Sequence, residues 1–155
     1  MLSEFTKHFL LLYTTVTSLI YLSYIYFKFG VLSSISDSYY KIKEKGLFTI
    51  FIWSIAFPVA ILGNSFIMML AAIFLAFVGA APAFKEDMTE QVHVIGAIGG
   101  IILGYIGLIF QYHQLIIPAI FGILAFAIRK KKNKTWWTEI AALMGIMIEL
   151  YIRNW

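Results

Sequence analysis

Long apolar runs alternate with short polar breaks along the whole chain. A helix needs roughly 20 apolar residues to cross about 30 Å of hydrocarbon. Six runs reach or approach that length: about His8–Phe29, Gly46–Leu62, Ser65–Phe84, Val92–Tyr112, Leu115–Ile128 and Trp136–Tyr151. The pattern predicts an all-α fold, a polytopic membrane bundle of six transmembrane helices in a single domain over residues 1–155. Two breaks are tight turns, at Gly63-Asn64 and His113-Gln114. The Leu115–Ile128 run is short, so a re-entrant pair around His113 is an alternative to two full spans. Pro58 and Pro118 fall within predicted helices and are expected to kink them. Thr135 is the expected cap of the last helix.

The first run could pass for a secretory leader, with Lys7 ahead of it. It is longer than a typical apolar core of a leader, and Phe27-Lys28-Phe29-Gly30 is a poor cleavage site. It is read as a retained span.

Composition supports a lipid setting. Hydrophobic residues make up 61% and charged residues 13% of the 155, where soluble domains carry about 25% charged. There is no cysteine, which excludes disulfides, thiolate nucleophiles and cysteine-ligated metals. No cofactor is indicated. The net charge of +4 does not indicate nucleic acid, because the bases sit in connections between apolar runs, where they set orientation and meet lipid headgroups. Of the 12 Lys and Arg, only Lys7 and Arg153 fall on the side that would hold both termini and the tight turns. The connections after the first, third and fifth runs hold Lys28, Lys41, Lys43, Lys45, Lys85, Arg129, Lys130, Lys131, Lys132 and Lys134. The bias places these connections in the cytoplasm and both termini outside, in a cell inner membrane.

The fourth run carries Gly96, Gly100 and Gly104 at four-residue spacing, and the third carries Ala72, Ala76 and Ala80. Small residues at this period let helices approach closely in lipid. They point to a tight pair within one subunit, or to a homo-oligomer seam. Tyrosines and tryptophans near run ends fit an interfacial belt.

The conspicuous polar stretch is Ser33-Ser34-Ile35-Ser36-Asp37-Ser38-Tyr39-Tyr40. The predicted topology puts it on one membrane face with Asp87, Glu90 and His93. Ser36, Asp37, Tyr39, Tyr40, Glu90 and His93 are the candidate ligand-binding residues. Ser36, Asp87 and His93 have the residue types of nucleophile, orienter and base. The same residues could simply cap turns and helices, and no Gly-x-Ser-x-Gly elbow is present. No metal site is expected: His93 and His113 stand about 30 Å apart on one helix, and His8 with His113 would make only a pair where zinc takes three or four ligands. Glu149 is placed to pair with Arg153 four residues on.

The loop resembles the Ser-Ile-Ser-x-Tyr-Tyr loop of a family of uncharacterised small bacterial multi-pass membrane proteins. In these, a small, proline-containing helix end, here Gly79-Ala80-Ala81-Pro82-Ala83-Phe84, leads to a histidine, here His93. The likeness covers about residues 20–110. In outline it is similar to the CREST group of membrane hydrolases and to six-helix DRAM/Frag-type proteins, which carry an Ile-Ser-Asp loop. The CREST likeness implies roles for Ser36 or Ser38, Asp87 and His93 in a zinc-hydrolase site. This chain departs from that pattern, with six predicted helices rather than seven and no histidine pair in Trp136–Tyr151. Three functions follow as expectations. One is a membrane protein binding a lipid or small ligand in a cytoplasmic-side polar pocket. Another is a CREST-like lipid hydrolase. The third is an oligomeric pore-forming or effector protein.

Overall fold

A computed structural model describes residues 2–80, 86–113, 115–128, 130 and 132–155, and the side chains of all of these except 86–90, 111 and 112. The described chain is all-α. Its seven helices are α1 (Glu4–Phe29), α2 (Asp37–Lys41), α3 (Gly46–Leu62), α4 (Phe66–Ala80), α5 (Glu86–Tyr112), α6 (Ile116–Ile128) and α7 (Lys134–Asn154), with no strand among the described residues. Two are long and apolar enough to cross a membrane: α1, and α5 over Gln91–Phe110. The apolar helices α3, α4 and α6 are shorter, at 17, 15 and 13 residues.

Several boundaries differ from those expected. Helix α1 starts at Glu4, because the Ser3 hydroxyl accepts the Thr6 N–H at 3.1 Å. The polar stretch contains a helical turn, α2, rather than only a loop. Helix α5 takes in Glu86–Gln91 as its first turns, where carboxylates favour the helix dipole. Thr135 lies inside α7 and does not cap it; Asn133 precedes the helix and sends its side chain elsewhere. Both tight turns place a residue in the left-handed region, Asn64 at φ 47° and His113 at φ 52°. Gln114 and residues 81–85 lie outside the described residues.

Around the bundle, α1 packs on α3, α3 on α4, α4 on α5 and α5 on α7, and α7 returns to α1. Helix α6 lies outside this ring, mainly against α7, with no buried residue of its own. Glycines set the α4–α5 approach. A Cβ on Gly96 would lie 2.9 Å from the Phe74 carbonyl oxygen, and one on Gly100 would lie 2.8 Å from Leu75. Gly104 instead faces Ile146 of α7. The alanine face of α4 turns to α3: the Ala76 carbonyl accepts the Trp53 indole N–H at 3.1 Å, and Gly79 lies against the same ring. Ala72 and Ala80 fall on that stripe by helical spacing.

The two prolines within described helices differ. Pro118 falls in the first turn of α6, where no helical N–H bond is lost. Pro58 lies inside α3 and leaves the Ser54 carbonyl without its helical donor. The buried Thr14 hydroxyl of α1 donates to that carbonyl. The α1 hydroxyl thus re-satisfies the carbonyl that the proline frees.

Candidate functional site

The connection between α1 and α3 is a docked segment held from two sides. On the α7 side, the Trp136 N–H donates to the Ser33 carbonyl at 3.1 Å and the Asn133 amide donates to the Val31 carbonyl at 3.0 Å. The Ile35 N–H donates to Glu139 Oε2 at 2.6 Å. On the α1 side, Ser38 is fully buried and its hydroxyl meets Tyr21 Oη at 2.6 Å. Ser38 also donates to the Ile35 carbonyl. That seals Ser38 in the core, away from any ligand.

Between these anchors the serines organise α2. Ser34 Oγ accepts the Asp37 N–H at 3.0 Å and lies 2.9 Å from Ser36 Oγ. Ser33 Oγ donates to Asp37 Oδ2 at 3.1 Å. The Asp37 N–H to Ser34 bond is the local side-chain-to-backbone bond that serine makes at turns.

This geometry brings four expected residues together. Ser36, Asp37, Tyr40 and His93 border one open cleft of about 390 Å³, along with Ser33, Ser34 and Val94. The His93 ring lies 6.0 Å from Phe48 by centroid, and among the described residues no hydrogen bond holds either of its nitrogens. Behind it, Ser36 and His93 also border a cavity of about 40 Å³ that reaches Glu139, lined otherwise by apolar residues such as Ile35, Phe48 and Leu143.

Other expected residues are placed differently. Tyr39 does not line the cleft; its ring packs 5.8 Å from Phe48, beneath the Lys45 ammonium at 4.4 Å. Asp87 and Glu90 lie in the first turns of α5, and their side chains fall outside the described residues. Ser36 Oγ pairs with Ser34 and not with His93. No group of three or more metal-ligating side chains occurs among the described residues.

Glu139 joins the site through the Ile35 N–H, although the sequence pattern assigns it no role. Its signal was available in principle, as one of only two acidic residues in the last apolar run, where an ionisable group is costly. The other, Glu149, is fully buried and accepts from Arg153 Nε at 2.5 Å, as its spacing suggested. His8 and His113 make no pair among the described contacts; the His8 ring lies 4.4 Å from Trp155.

No family model, curated protein or solved structure matches the chain, and nothing bears on the likeness drawn from the loop.

Proposed function

We propose that the chain is a multi-pass inner-membrane protein that binds a lipid headgroup or other small polar ligand in the α2–α5 cleft. One observation carries the reading. The hydroxyl-rich segment and His93 border a single cleft, and the His93 ring has no hydrogen-bonding partner among the described residues. A half-buried imidazole that makes no bond to the described residues is available to one from outside the protein.

The membrane part rests on the apolar exterior. Phe5, Phe27, Leu19 and Ile20 of α1 are 62–84% exposed, a surface more suited to lipid than to water. In this reading α1, α3, α4, α5, α6 and α7 are the six spans. The short spans α3, α4 and α6 match a locally thinned bilayer. Both termini face out, and the cleft lies at the cytoplasmic interface. The hydrolase alternative lacks a hydrogen bond between Ser36 and His93, so binding is preferred.

The test is native mass spectrometry of the detergent-purified protein. Wild type is expected to retain a bound lipid or small molecule that His93→Ala loses at an unchanged melting temperature. Equal retention by the variant would remove the cleft from consideration.

A further inference from the structure

The cleft is uneven in charge. Asp37 brings a carboxylate that takes one side-chain hydrogen bond among the described residues, from Ser33, while an ionised carboxylate has about four acceptor sites. Tyr40 stands at the mouth, 62% exposed, with a ring face suited to a cation. No lysine or arginine lines the cleft among the described residues.

Positive charge is carried instead at the start of α7. The Asn133–Val31 and Trp136–Ser33 hydrogen bonds lay the start of α7 against the segment that forms the cleft. Lys132 and Lys134 flank Asn133 there, both exposed. A third feature leads away from the mouth. Val94 lines the cleft, and Val94, Ile95, Ile98 and Ile102 form an exposed apolar stripe on α5. Eight residues of helix make that stripe about 12 Å long.

We propose that the cleft takes the headgroup of a phospholipid bearing a primary amine. This rests on the headgroup-site reading above. The ammonium sits against Asp37 and the serine hydroxyls, with the Tyr40 ring beside it. The phosphate lies at the Lys132–Lys134 edge, and an acyl chain follows the Val94–Ile102 stripe. A primary ammonium has three N–H donors for these acceptors; a quaternary one has none. A free amino-alcohol phosphate shares the headgroup chemistry but leaves the stripe uncovered.

The experiment titrates delipidated, detergent-solubilised wild-type protein, read by native mass spectrometry. The probes are short-chain phosphatidylethanolamine, phosphatidylcholine and phosphatidylglycerol with identical chains, and free phosphoethanolamine. Phosphatidylethanolamine is expected to bind about tenfold tighter than the other two lipids, about 1.4 kcal/mol, and free phosphoethanolamine more weakly still. Asp37→Asn should abolish the preference over phosphatidylglycerol. The Lys132→Gln, Lys134→Gln double variant should weaken both of those lipids alike.

Equal affinity for the three lipids overturns the amine assignment and leaves a headgroup site standing. Phosphoethanolamine binding as tightly as its lipid overturns the lipid assignment. Failure of every probe, together with indifference to His93→Ala, removes the underlying reading as well. The wild-type series decides these outcomes even if a variant fails to fold.

Discussion

The two sides of the bundle are joined by different means. Along α4 and α5 the contact is steric, with bare glycine backbone against Phe74, Leu75 and Val78. Where α7 meets α1 and its following segment, the contact is made by hydrogen bonds. Tyr151 Oη donates to the Leu11 carbonyl at 3.0 Å and lies 2.6 Å from the Thr15 hydroxyl, while Glu139, Trp136 and Asn133 hold the segment after α1. An apolar groove of about 270 Å³ runs between α1, α3 and α7, and another of about 460 Å³ between α6 and α7. In the proposed membrane setting, burial alone does not draw helices together, so they associate by close fit or by polar contacts. Close fit excludes voids. Hydrogen bonds can span a partly open contact, and the cleft and its backing cavity lie where the hydrogen-bonded segment after α1 meets α5.

The comparison can be broken most sharply at the steric seam. Gly96→Val puts a side chain against the Phe74 backbone oxygen, which cannot rotate aside. It should cost about 3 kcal/mol, at the upper end for overpacking, read as a lower melting temperature and loss of monodisperse protein in detergent. A variant as stable as wild type would mean that α4 and α5 are not closely fitted.

Thr14→Val tests the opposite mode of joining at almost unchanged volume. It leaves the Ser54 carbonyl buried without its donor, at a cost of about 2 kcal/mol, and Thr14→Ser should restore most of it. Equal melting temperatures for all three proteins would show that the carbonyl is satisfied in another way.

The smallest effect is expected at the loop. Glu139→Ala removes the acceptor for the Ile35 N–H and should destabilise by about 1.5 kcal/mol. Faster amide hydrogen exchange confined to residues 31–40 is the expected signature. Glu139→Gln keeps an acceptor oxygen and should exchange close to the wild-type rate. Identical exchange in all three would show that Glu139 does not hold the segment.

The apolar runs were legible because a helix of any kind needs an apolar face to bury, and these runs are apolar nearly all round. Their ends were less so. Glu86–Gln91 reads as a polar connection, yet acidic residues also suit a helix start, and α5 uses them that way. Within the site, the expected order of six spans puts Ser36, Asp37 and Tyr40 on one face with His93, and the structure brings these four to one cleft. Which tyrosine of the pair faces the cleft depends on the phase of one helical turn, and a five-residue helix such as α2 is too short to show a period in sequence. Glu139 was hidden for another reason. Its partner Ile35 is 104 residues away, and no periodicity links a loop N–H to a distant carboxylate.

Pro58 carries one more consequence, in the order of synthesis. Helix α3 cannot complete its own ladder at Ser54, because the proline four residues on has no N–H to return. The missing donor belongs to α1. The chain is made from its N-terminus, so the Thr14 hydroxyl exists before the carbonyl that needs it. The first long helix acts as a template on which the next one finishes its hydrogen bonding.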